Sequence, residues 1–98
     1  MTGLVDIAVE NDAAANRFVA RVDGQTAELQ YERFPDRIVL VHTEVPAALR
    51  GRGIADKLAH TALEYARAEH LRVVPRCPFV AAYLRRHPEY QDPLLHTP

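Results

Sequence analysis

Cysteine is almost missing from this chain: Cys77 stands alone among 98 residues. That excludes an internal disulfide and points to a reducing compartment, with the cytoplasm as the default expectation. Long apolar runs are missing too. No stretch approaches the roughly 20 residues that cross a bilayer, so no membrane contact is expected. The opening MTGLVDIAVE lacks the basic start of a secretory leader. Lysine is reduced to Lys57, and the arginines are not gathered into a stripe with interleaved aromatics. Nucleic acid is therefore not an expected partner. Repeats, linkers and low-complexity segments are absent as well.

What is present suits a single domain over residues 1–98, large enough for one core between two packed layers. Hydrophobic content of 48% and charged content of 26% are ordinary for a globular protein. The net charge of −1 hides an asymmetry: residues 1–45 carry four arginines against eight acids, residues 46–98 eight basic residues against five acids. The basic half suits an anionic cofactor, and the acidic half favours a cationic acceptor such as an amine.

Alternation of apolar and polar residues marks Leu4 to Val9 as a first strand, and Asn11 to Ala15 as a connector. Arg17 to Val22 is a second strand, closed by Asp23-Gly24, a strong hairpin signal. Ala27, Leu29 and Tyr31 alternate with polar neighbours in a third strand; Phe34-Pro35-Asp36 turns the chain into a fourth, Arg37 to Thr43. The near-continuous apolar run of that strand predicts a central position covered on both faces. A helix follows over about 52–70, with Ile54, Leu58, Ala62 and Tyr65 at helical spacing and Ala55, Ala59 and Ala66 as a small-residue flank. His60 and His70 then fall on the solvent side. Leu71 to Pro75 reads as a short fifth strand. Pro78 suits the first position of a last helix, with Cys77 as its N-cap and His87-Pro88 as its stop. Asp92 to Pro98 reads as a fraying tail.

The most informative stretch is VLVHTEVPAALRGRGIADKLAHTALEYA, Val39 to Ala66. Two glycines, Gly51 and Gly53, stand where a helix should begin. They let backbone N–H groups turn outward, the helix adds the positive end of its dipole, and Arg50, Arg52 and Lys57 add full charges. This is a site for a polyphosphate. A P-loop is excluded, because Ile54-Ala55 follows Gly53 in place of lysine and a hydroxyl residue. A dinucleotide fingerprint is excluded by Asp56 and by the absence of an acidic residue about 20 positions on. A third pattern, Arg/Gln-x-x-Gly-x-Gly/Ala, is met by Arg50, Gly53 and Ala55. A glycine-rich helix start with no ligand remains the plainer reading.

That third pattern resembles the pyrophosphate loop of the GNAT superfamily of acyl-CoA N-acyltransferases. The stretches VHTEVPAALRGRGIADKL and VVPRCPFVAAYLRRHPEY look like the two signature segments of its minimal, single-domain (YjdJ-like) acetyltransferases, and the likeness runs from about Val5 to Asp92. It implies an α/β (α+β) fold: a mixed, mainly antiparallel sheet of about five strands with two C-terminal helices. It implies acetyl-CoA (coenzyme A), with pyrophosphate on Arg50, Gly51, Arg52, Gly53, Ile54 and Ala55, and pantetheine along Thr43, Glu44 and Val45. Cys77, Phe79 and Tyr83 complete the cofactor-binding set, and no metal is expected. The chain departs from full-size members in having only residues 11–16 where helices usually build the acceptor site. Tyr83 also lies six positions after Cys77, where the family spacing is seven.

Three side chains are candidates for catalysis. Cys77 combines a helix N-terminus with Arg76, both of which favour thiolate, and it reads either as an acyl-accepting nucleophile or as a small buried thiol. His42 reads as a general base or as a packed strand histidine. Glu44 is the alternative base, or an exposed residue at a strand end. The reading as a whole is an acetyl-CoA-binding N-acetyltransferase acting on an unidentified amine, protein or small molecule. The alternatives are a non-catalytic acyl-CoA-binding module and a cofactor-supplying subunit of a complex.

Overall fold

The computed structural model describes residues 7–90. Five strands form one sheet in sequence order: β1 (Val9–Asp12), β2 (Arg17–Val22), β3 (Gln25–Arg33), β4 (Arg37–Glu44) and β5 (Arg72–Pro75). The first four make an antiparallel meander, and β5 pairs parallel to β4. A parallel neighbour needs a crossover, which α1 (Ile54–Ala68) supplies. Asp23 and Gly24, at φ 52° and 76°, form a two-residue turn whose left-handed residues match the twist of the hairpin. The first strand differs from expectation: positions 4–6 lie outside the described residues, and β1 extends through Asn11 and Asp12 into the segment read as a connector. Asp12 then caps a 3-10 turn, Ala13–Ala15, by accepting a hydrogen bond from the Ala15 N–H. The expected tail, Asp92 to Pro98, lies outside the described residues.

Helix α1 buries Ile54, Leu58, Ala59, Ala62, Leu63 and Ala66 along one stripe. Its alanines let the helix sit close to Phe18, Ala20, Ala27, Leu29, Ile38 and Leu40 of the sheet. Each large aliphatic side chain buried there contributes about 1.5–3 kcal/mol. Helix α2 (Pro78–Arg86) joins the same core through Val80, Tyr83 and Leu84. The 3-10 turn after it, Pro88–Tyr90, inserts the Tyr90 ring, which is 1% exposed. The Tyr90 hydroxyl donates to the Glu64 carboxylate and lies 2.9 Å from His60 Nδ1. His60 is thus exposed, as its helical position predicts, yet also engaged in pinning the end of the chain to α1.

The expectation that β4 is covered on both faces is met only in part: Val39 is buried on the second face, at 6% exposure, but Val41 is not. Among the described residues no helix lies over the second face, and Val41 is 38% exposed there. On this face Arg17 pairs with Glu28 and Arg21 with Glu10, each at 2.8 Å, across the β2–β3 and β1–β2 ladders. The apolar run Ile38–Val41 is therefore the signature of an interior strand in a two-layer fold.

One irregularity in β4 decides where its polar residues go. Tyr31 pairs with Leu40 but Gln30 pairs with His42, so Val41 is an extra residue in the ladder. Such a bulge resets the alternation of side chains by one. Strict alternation would turn His42 inward with Ile38 and Leu40; the bulge turns Thr43 inward, and His42 and Glu44 onto the uncovered face.

Candidate active site

The β4–β5 ladder ends at Leu40 opposite Pro75. One further hydrogen bond, from the Cys77 N–H to the Leu40 carbonyl at 2.9 Å, holds the two together where α2 begins. Beyond it β5 has ended while β4 continues through Val41 to Glu44, so the strands open into a fork. Backbone groups alternate sides along a strand. With His42 and Glu44 paired to β3, the N–H and C=O of Thr43 face the fork. At its closed end Thr43 Oγ1 lies 3.3 Å from Cys77 Sγ. Cys77 is 3% exposed, a small wall residue at the N-cap of α2.

The open end of the fork runs into the start of α1. Pro46 ends the extended segment, a 3-10 turn over Ala47–Leu49 buries Leu49, and Gly51 and Gly53 then take φ of 80° and 75°. Only glycine adopts that left-handed backbone without strain. Gly53 occupies the N-cap of α1 and no side chain caps the helix, which leaves its first N–H groups facing outward. A cavity of about 220 Å³ opens there, lined by Val45, Leu49, Arg50, Gly51, Gly53, Ile54, Ala55, Asp56 and Phe79. A methyl group at Gly51 would meet nothing within 4 Å. That glycine is required by backbone geometry and not by packing, and it leaves open space beside the helix N-terminus. The Arg50 side chain reaches back to the Val45 carbonyl at 3.3 Å and stays exposed at the mouth. Helix dipole, outward N–H groups, an arginine and open space together fit a pyrophosphate.

The structure thus gathers Val45, Arg50, Gly51, Gly53, Ile54, Ala55 and Phe79 around one cavity, and places Thr43 and Cys77 at the far end of the adjoining fork. It sets others apart. Arg52 turns away from the cavity to Asp23 in the β2–β3 hairpin, 2.9 Å off. Tyr83 is buried in the core, its ring stacked on His87 at 3.8 Å; burial, with Asp56 and Glu89 nearby, pushes its phenol pKa up. Sequence reasoning missed Leu49 and Asp56 as lining residues. The Asp56 carboxylate completes the first turn of α1 and faces Arg86 at 3.6 Å. Its position three residues after Gly53, in a first helical turn, was the available signal.

His42 and Glu44 stand on the other side of β4. His42 Nε2 lies 2.7 Å from Glu44 Oε1, with the two side chains 53% and 60% exposed. Beside them a broader depression of about 480 Å³ is lined by residues that include Arg17, Glu28, Gln30, Glu32 and Val41. Here Glu28 accepts from Arg17 at 2.8 Å and from Gln30 at 2.7 Å, and these bonds hold its carboxyl below the ordinary carboxylate range. No sequence signal marked this depression, because its residues come from separate strands in a register that the bulge sets.

The sequence matches, over residues 17–93, the family described as GCN5-related N-acetyl-transferase. The chain belongs to that family. The matched span contains the fork, the glycine corner and both helices. The chain is also similar to Protein NATD1 of Homo sapiens, 42% identical over 85 residues that cover 84% of this chain and 75% of the relative. Protein NATD1 of Gallus gallus has the same identity, with 77% of the relative covered. Protein NATD1 of Danio rerio is 37% identical over 93 residues, covering 90% of this chain and 84% of the relative. Membership of the GCN5-related N-acetyltransferases supports an N-acetyltransferase-like function, and the five-stranded mixed sheet with two helices is consistent with the family's fold. No helix among the described residues is long and apolar enough to cross a membrane.

Proposed function

We propose that this protein binds acetyl-CoA along the fork and the glycine corner and transfers the acetyl group to an amine that approaches from the uncovered face of the sheet. The observation that carries this reading is the continuity of the two features. Thr43 offers unladdered backbone to the fork, and the fork leads straight to the N-terminus of α1. When bound, acetyl-CoA supplies a thioester carbonyl, to which an amine nitrogen adds as the carbon–sulfur bond breaks. Arg50 and the first N–H groups of α1 hold the pyrophosphate, Phe79 and Val45 line the approach, and Thr43 aligns the arm by backbone pairing. His42 takes the proton that the amine loses. Glu44 accepts from Nε2–H and so leaves Nδ1 of the ring as the basic nitrogen. Cys77 serves as a wall of the acyl end, with its thiol against Thr43.

The test has two stages. Calorimetry with CoA compares the protein with Arg50→Ala, where loss of charge-assisted hydrogen bonds worth about 1.5–3 kcal/mol weakens binding by roughly tenfold or more. CoA release from acetyl-CoA is then followed with a panel of primary amines, from short diamines to lysine peptides. Absence of CoA binding removes the proposal, and binding without release to any amine favours the acyl-CoA-binding module.

A further inference from the structure

We propose that Arg86, at the end of α2, sets the affinity of the corner for CoA by cancelling the charge of Asp56. The inference rests on the acetyl-CoA site proposed above and concerns one wall of its phosphate cavity. That cavity suits an anion, yet one of the residues that line it is itself an anion. Asp56 stands in the first turn of α1 and lines the cavity together with Arg50 and Gly53. A carboxylate there draws on the same unpaired N–H groups and the same positive helix end that a phosphate would use. It also repels any further negative charge brought into the cavity. Asp56 is therefore the feature of the corner that works against the ligand.

Arg86 offsets it from the other helix. Its Nη2 lies 3.6 Å from Asp56 Oδ1, and among the described residues no other ion pair involves Asp56. The guanidinium is held by its surroundings as well as by the carboxylate. It sits over the Tyr83 ring, 5.7 Å from the centroid, and that ring is buried and stacked on His87. In the last turn of α2 a cation is also favoured by the negative end of the helix. The two side chains remain 54% and 50% exposed, so as a strut between α1 and α2 the pair adds little to stability. Its place at the cavity gives it a different consequence. Loss of Arg86 leaves the carboxylate uncompensated beside the phosphates, and the cost falls on ligand affinity, not on folding.

Calorimetric titration with CoA through a double-mutant cycle tests this without any acceptor amine. Asp56→Asn should tighten CoA by about threefold or more, although it alters a residue of the site, and the gain should shrink as salt is raised. Arg86→Ala should weaken CoA by about threefold or more, and Arg86→Lys should restore most of that loss. With Asp56→Asn and Arg86→Ala combined, CoA should bind within about twofold of Asp56→Asn alone, because no carboxylate is left to cancel. Urea denaturation of the same variants reports any loss of folding separately. If CoA binds but Arg86→Ala costs the same with and without the carboxylate, or Asp56→Asn leaves the affinity unchanged, Arg86 does not act through Asp56 and only this inference falls. If CoA does not bind at all, the corner is not a CoA site and both readings fall together.

Discussion

His42 and Glu44 share one face of β4, with Nε2 and Oε1 2.7 Å apart, although His42 would face inward on an unbroken strand. The bulge at Val41 is responsible. It inserts one residue between the Tyr31–Leu40 and Gln30–His42 pairs and so exchanges the faces of everything after it. The same shift delivers Thr43 to Cys77. A single extra residue thus separates a histidine–carboxylate pair on one face of the sheet from the Thr43–Cys77 contact on the helix side.

His42→Gln should lower turnover with an amine acceptor by about 10²–10⁴, the usual worth of a positioned base. Glu44→Gln should cost less, because it orients the ring without holding the proton. CoA affinity should change little in either variant, since neither side chain lines the corner cavity and both lie on the face of β4 turned away from the helices. Equal turnover in His42→Gln and the unaltered protein, measured by CoA release, excludes His42 as the base.

Arg50 and Arg52 are two positions apart yet predict opposite results. Arg50 stands at the cavity mouth, whereas Arg52 is paired with Asp23. Arg50→Ala should weaken CoA strongly. Arg52→Ala should remove an exposed ion pair worth about 0–1 kcal/mol of stability and leave CoA affinity close to its original value. Calorimetry and urea denaturation on the same two variants separate the effects.

Gly53→Ala places a Cβ at φ 75° on the N-cap of α1. The left-handed backbone then costs about 1–2 kcal/mol, and the urea midpoint should fall accordingly with an unchanged m-value. A midpoint equal to that of the parent protein means that the corner can relax to a right-handed conformation.

Glu28 is held ionised by Arg17 first and Gln30 second, with a folded pKa below its ordinary 4.5. A lowered folded value means that the contribution is complete above the ordinary value and disappears as pH falls through the folded one. Glu28→Gln should therefore destabilise the protein by up to about 1 kcal/mol near neutrality, this pair being partly exposed. The difference should vanish in acid. Denaturation followed down through the carboxylate range reads both limits.

Burial, then the bond to Glu64, pushes the Tyr90 phenol well above the ordinary tyrosine range. The neutral phenol is the stabilised form, so its contribution holds below the ordinary value and is lost only as pH climbs through the raised one. Tyr90→Phe should cost about 0.5–1.5 kcal/mol for the lost hydroxyl; Tyr90→Ala should cost about 3–5 kcal/mol for the ring. Tyr31 and Tyr83 are raised as well, so ultraviolet titration should show several late tyrosinates, of which the latest is missing from Tyr90→Phe.

Much of the frame follows from residues close together in the chain. The Asp23-Gly24 turn, the stripe Ile54-Leu58-Ala62 and the Cys77-Pro78 helix start each depend on local backbone preference or on one period of hydrophobicity. All three are found where the sequence places them. The glycine corner belongs to the same class, because left-handed φ is a property of single residues and the helix dipole follows from the helix.

The tertiary structure decided what depends on register and on distance along the chain. That Val41 is exposed on the second face of β4, that it is extra in the ladder, and that Arg52 meets Asp23 and His60 meets Tyr90 are outcomes of strand pairing and helix docking. The run Ile38–Val41 is compatible with either one or two covered faces, since burial reports what packs against a strand and not what the strand contains. A bulge leaves no mark in composition, for it changes only which neighbour each residue pairs with. Thr43 and Cys77 meet across 34 positions because β4 and β5 diverge there, and that divergence exists only once the sheet and its crossover helix have formed.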